Sequence, residues 1–143
     1  MAEQTYSNHV KWVPTYHFFV VPVMVLNFIS SIVRFIHVGI TWDSAVHLLT
    51  AAALLIFMFN ARMFALKVQD RVIRLEERLR LTQLASEPLR SRIPELTVDQ
   101  LCALRFASDA EVTKLAERAL NEKLSRADIK KAIKTWRPDY WRV

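Results

Sequence analysis

The stretch FMFNARMFALKVQDRVIRLEERLRL, Phe57–Leu81, begins as hydrocarbon and ends as a charged rod. No glycine, proline or cluster of turn residues interrupts it, so nothing in its chemistry stops a helix where the polarity changes. A helix that is apolar all round needs a core or a lipid bilayer, whereas a charged one needs water. One continuous element is therefore predicted to pass from one environment to the other.

The rest of the chain divides at the same place. Residues 1–61 carry two basic and two acidic groups, Lys11 and Arg34 against Glu3 and Asp43. All of the net charge of +6 comes from the residues that follow. A single glycine, Gly39, serves the whole chain, which favours long helices over hairpin-rich sheets. The lone cysteine, Cys102, can form no internal disulfide and lies in an apolar helical pattern, so it reads as a small core residue.

Upstream, FFVVPVMVLNFISSIV (Phe18–Val33) is the first apolar run. Its length as a helix, about 24 Å, falls short of a hydrocarbon core of roughly 30 Å. Adding RFIHV supplies the difference if Arg34 reaches the headgroups. Gly39 is placed to end that helix, Pro14 can begin it, and Pro22 is expected to kink its first turns. The second run opens at TWDSAVHLL, where Thr41, Asp43 or Ser44 can cap it. Trp12 and Tyr16 flank one end and Trp42 the other, as interfacial aromatics do. The short link Gly39–Asp43 then requires a hairpin. Basic residues crowd after the second run (Arg62, Lys67, Arg71, Arg74, Arg78, Arg80), while the turn has Arg34 alone. That asymmetry puts both termini in the cytoplasm. The first run lacks a basic leader and a small-residue cleavage site, so an uncleaved anchor is expected.

Val68, Val72, Leu75 and Leu79 form a narrow seam along the charged part, at spacings of 4, 3 and 4. Arg71 and Glu76 flank it in the positions that attract across a parallel coiled coil. Asp70 with Arg74, and Glu76 with Arg80, are spaced to pair along the helix. Two uses of the seam stand open: the C-terminal helices fold back onto it, or it associates with another copy.

SEPLRSRIPE (Ser86–Glu95) is the clearest boundary. Three helix starts follow, at Thr97–Gln100, Ser108–Glu111 and Ser125–Asp128. Their apolar stripes are Leu101, Leu104 and Ala107; Val112, Leu115, Ala119 and Leu120; and Ile129, Ile133 and Trp136. Such a module is too small to be stable alone. The organisation is thus an N-terminal segment 1–13, a transmembrane hairpin 14–66, a helical extension 67–85, a linker 86–95 and a helical module 96–143. The fold class is an all-α membrane protein whose second span extends into the cytoplasm and is followed by about three short helices.

The tail KKAIKTWRPDYWRV is basic and aromatic. Trp136, Tyr140 and Trp141 with Lys130 and Lys134 suit a surface helix on anionic lipid headgroups, a docking face for another subunit, or a merely solvated, self-packed helix. Nucleic-acid binding lacks any recognised module. No nucleophile–base constellation or phosphate-cradling loop is present, so no enzyme is expected. All four histidines fall in or beside the membrane half. His37 and His47 sit at similar depth in a hairpin, where paired imidazoles can hold a haem or one can ligate a pigment. The bland alternative is hydrogen bonding to headgroups, and no cofactor is required. Asn27 and Asn60 within the spans are candidates for helix–helix bonding.

KVQDRVIRLEERLRL (Lys67–Leu81), LTVDQLCALRFASDAEV (Leu96–Val112) and TYSNHVKWVPTYHFFVVPV (Thr5–Val23) resemble an uncharacterised family of small bacterial two-span membrane proteins. The likeness covers nearly the whole chain. It implies a bacterial inner-membrane location and brings no assigned ligand or catalytic residue. Together these readings lead to a non-catalytic accessory or scaffolding subunit of a membrane complex, or a homo-oligomer; a haem- or pigment-binding membrane protein is the alternative.

Overall fold

The computed structural model describes residues 4–141, which form two compact units. One is Lys11–Leu66; the other joins residues 4–10 to residues 67–141. All regular structure among the described residues is helical apart from an isolated bridge between Ala107 and Trp136. The helices are α1 (Val21–Val38), α2 (Trp42–Leu84), α3 (Leu89–Arg92), α4 (Val98–Leu104), α5 (Asp109–Asn121) and α6 (Arg126–Ala132).

In the first unit, Pro22 acts differently from a simple kink. Pro22 has no N–H to give, and the turn before it widens into a π-helical segment, Thr15–Val20. The Val21 N–H reaches back to the Tyr16 carbonyl across that segment. Thr15–Val38 then forms 24 residues of continuous helix, about 36 Å at the α-helical rise. The chain leaves α1 at Gly39, whose φ of 81° is costly for any residue with a Cβ. Thr41 starts α2 by a reciprocal exchange: its hydroxyl accepts from the Ser44 N–H at 3.1 Å, and its own N–H reaches Ser44 Oγ at 3.0 Å. The two helices meet at both ends. Arg34 pairs with Asp43 beside the turn, so this guanidinium has a protein partner where lipid headgroups were expected. At the other end the Tyr16 hydroxyl reaches the Met58 carbonyl at 3.5 Å, and the Arg62 guanidinium lies 5.6 Å from the Tyr16 ring centre. Asn27 and Asn60 supply no bond between the helices among the described residues. Both helices are long and apolar enough to cross a membrane. Small residues, Ser44 and Ala51, fill the covered positions, while most larger apolar side chains are exposed.

The second unit has a hydrophobic core built from Leu81, Leu89, Ile93, Leu96, Leu101, Leu104, Phe106, Val112, Ile129 and their neighbours. Each predicted stripe of the three C-terminal helices contributes to it. Residues 86–95, expected as a linker, hold α3 and a 3-10 turn (Ile93–Glu95), and they bury Leu89 and Ile93. Thr97 and Gln100 form a complete capping box. Gln100 is buried, and its amide also bonds the Ala119 and Leu124 carbonyls at 3.0 and 3.2 Å, so α4 and the end of α5 are tied by one side chain. Lys123 takes the left-handed conformation that ends α5, with the Leu124 N–H returning to the Ala119 carbonyl.

Two details depart from the sequence reading. Ser108 precedes α5 without a side-chain cap, and the Glu111 carboxylate, the other half of the expected capping box, instead accepts from the Lys134 and Thr135 N–H groups at 3.2 and 3.0 Å. The third helix stops at Ala132 instead of running to Trp136, and Ile133 is extended. Ser108 and Arg137 bond Thr135 and Phe106 backbone atoms there, so sheet-like pairing with the chain after α4 replaces the last helical turn.

Candidate functional site

Helix α2 presents two faces with different fates. Val68, Val72, Leu75 and Leu79 are exposed, Leu75 to 67%. The covered residues are Ile73, Glu77 and Leu81, with Ala85 just past the helix end, roughly 170° around the helix from the seam at 100° per residue. Folding back of the C-terminal helices onto the seam is therefore corrected: they pack on the opposite face.

That covered face has a charge at its centre. Glu77 is buried, and its Oε2 accepts from Arg80 Nη1 at 3.0 Å, with Arg137 Nη1 3.6 Å from its other oxygen. Arg80 also donates to Asp109 Oδ1 and to the Ala107 carbonyl, both at 2.7 Å. One guanidinium thus joins α2 to the end of the α4 segment and the start of α5. A planar fork can make these bonds at once, which a lysine cannot. Burial raises the Glu77 pKa above its ordinary value, and Arg80 only partly opposes this. Because the raised group holds its proton more tightly when folded, its contribution is fully present below about pH 4.5 and is lost as pH rises through the folded value. Glu77→Gln keeps an acceptor for Arg80 and cannot ionise, so its unfolding free energy is expected to lack this decline. Chemical denaturation from pH 4 to 8, variant against parent, measures the difference.

The predicted intrahelical pairs are replaced by these contacts. Arg80 turns to Glu77 and Asp109 instead of Glu76, and Asp70 accepts from the Cys102 thiol at 3.5 Å instead of meeting Arg74. Glu76 is thereby left without its intrahelical partner; neither it nor Arg71 makes an ion pair or hydrogen bond among the described residues, and both are exposed. Burial and the neighbouring Asp70 push the Cys102 pKa up to about 11, as fits an unreactive core thiol.

The tail aromatics separate. Trp136 packs against the core, its ring 5.2 Å from Phe106 and 5.7 Å from His9. Lys130 lies 5.4 Å from the Phe106 ring centre and 2.9 Å from His9 Nε2. Trp141 is almost fully exposed, with Tyr140 and Lys134 also outside. A surface helix carrying all five residues is thus not formed: Lys130 lies in α6, and from Ile133 onward the chain is non-helical, with Trp136 turned inward. His9, read from sequence as a membrane-side residue, joins this cluster instead. Its Nδ1 is 2.7 Å from the Tyr6 carbonyl, and Gln4 makes a two-point contact with the Asp139 backbone, donating to its carbonyl at 3.4 Å and accepting from its N–H at 2.9 Å. Arg105, beneath the same cluster, is buried over the Phe106 ring at 4.5 Å with Asp139 Oδ2 3.0 Å away. Burial lowers its pKa, and Asp139 counters.

His37 and His47 are not brought into contact. His47 Nε2 lies 3.4 Å from Asp43 Oδ1, and His37 makes no hydrogen bond, ion pair or ring contact among the described residues. No cluster of three or more metal-ligating side chains occurs among the described residues.

An all-α chain with two long apolar helices, the second continuing into the core of a small helical module, is the class that this geometry defines. The chain belongs to a family of unknown function, DUF6526, whose model matches residues 1–143. No curated protein and no solved structure matches it.

Proposed function

We propose that this protein is a non-catalytic scaffold of the bacterial inner membrane. A helical hairpin anchors it, both termini face the cytoplasm, and the module on the extended second span holds subunits of a membrane complex or a second copy of the chain. The observation that carries this reading is α2 itself. It is one unbroken helix, Trp42–Leu84, that begins apolar and exposed and ends covered on one face and bare on the other. Exposed apolar helix on both spans suits lipid, since water would penalise it. The concentration of Arg and Lys after the second span supports the cytoplasmic side for the module. A bare apolar seam, and an exposed Tyr140–Trp141 end beside Lys134, offer surfaces for protein partners or anionic headgroups.

The test is a gentle tagged purification from native membranes, with quantitative mass spectrometry of what remains bound. The expected result is a chain that resists alkaline carbonate and emerges at fixed stoichiometry with named membrane subunits or with itself. Release by carbonate without detergent contradicts the proposal.

A further inference from the structure

We propose that the bare seam of α2 is covered by the same seam of a second copy, forming a parallel two-helix coiled coil next to the bilayer. This inference rests on the membrane-anchored reading above and names the occupant of its bare face.

The placement of the module is the first argument. With Val72 and Leu79 at a and Val68 and Leu75 at d, the residues that the module covers, Ile73, Glu77, Arg80 and Leu81, fall at b, f, b and c. Those are the positions that a two-stranded coiled coil leaves outside. One helix can therefore hold its own module on one face and a partner helix on the other.

Charge chooses the partner and its direction. In a parallel pair, Arg71 at g faces Glu76 at e of the other copy, and the reciprocal contact forms as well. Both side chains are exposed, and Glu76 has lost its intrahelical partner because Arg80 is drawn into the module. An antiparallel pair brings g positions together, setting Arg71 against arginine at 71 or 78, which repels. Arg78, the next g residue, already donates to the Pro94 carbonyl at 3.3 Å, and its partner position is the uncharged Gln83, so Arg71–Glu76 carries the register alone. Two copies anchored in one bilayer are held parallel. Their confinement raises the effective concentration enough for about two heptads, which would be too few between free chains.

Disulfide trapping of the full-length chain in phospholipid vesicles tests the pairing. Val72→Cys and Leu79→Cys are each placed at an exposed seam position, and Arg74→Cys at an exposed position off the seam; the native Cys102 is buried and contributes little background. The seam variants are expected to cross-link to dimer roughly tenfold more than Arg74→Cys, because a disulfide needs close, facing Cβ atoms. Adding Arg71→Glu or Glu76→Arg to Val72→Cys should lower the yield roughly threefold, and the double exchange should restore it. These substitutions lie on the exposed face, so the module stays folded. Equal yields at positions 72 and 74 overturn the inference, as does a single chain per lipid nanodisc at every protein-to-lipid ratio. A chain that is monomeric yet resists carbonate removes the second copy alone and leaves the scaffold reading standing. Release from the bilayer by carbonate removes that reading instead.

Discussion

Replacing Phe106 with alanine is expected to destabilise the C-terminal module by about 3–5 kcal/mol. Phe106 is fully buried, and four side chains, Trp136, His9, Arg105 and Lys130, are arranged on its ring. Truncation leaves a void beneath a buried arginine, and packing around it cannot close without moving the N-terminal segment. A small domain has a total stability of about 5–15 kcal/mol, so the module is expected to open often. Cys102 reports the opening, since its thiol is buried and pushed up to about 11 in the fold. Alkylation of Cys102 is expected to accelerate by about two to three orders of magnitude in Phe106→Ala. An unchanged rate would show that the ring is not central to the module.

Arg80→Ala should cost about 3 kcal/mol by a different route. The substitution removes the bonds to Asp109 and the Ala107 carbonyl, and it leaves buried Glu77 with Arg137, 3.6 Å away and half exposed, as its remaining cationic partner. The stranded carboxylate raises its own pKa further, so the loss is greatest at neutral pH and shrinks on acidification as Glu77 takes up a proton. Thermal unfolding followed at pH 5 and pH 7.5 separates this from a simple packing defect, which would cost the same at both. Arg80→Leu, which keeps apolar bulk, should show the same pH pattern.

Much of the architecture is legible in residue patterns, for physical reasons that can be named. Two apolar runs around a single glycine predict two long helices, and Thr97 with Gln100 predicts the start of α4, because spacing alone governs those outcomes. The face of α2 that the module covers is not legible. Seam residues Val68, Val72, Leu75 and Leu79 are the better apolar stripe, whereas the covered stripe has Glu77 in its middle and becomes suitable only once Arg80 neutralises it. Tertiary partners decide the other departures too. Ser108 and Glu111 have capping spacing, yet Glu111 gains two backbone donors after α6 that its own helix does not supply. Trp136 follows a helical stripe in sequence but is carried inward by the backbone pairing with Ala107. The pairing of Gln4 and His9 with the module joins residues more than a hundred positions apart, and no local pattern announces such contacts.

Cysteine labelling in intact cells tests the central claim most directly. Ile40→Cys marks the exposed turn between the two long helices, and Lys131→Cys marks the exposed surface of α6. A membrane-anchored hairpin with a cytoplasmic module predicts that an impermeant maleimide labels position 40 in intact cells, and position 131 only after the inner membrane is opened. Labelling of position 131 in intact cells, or equal labelling of both sites in a soluble fraction, would contradict it.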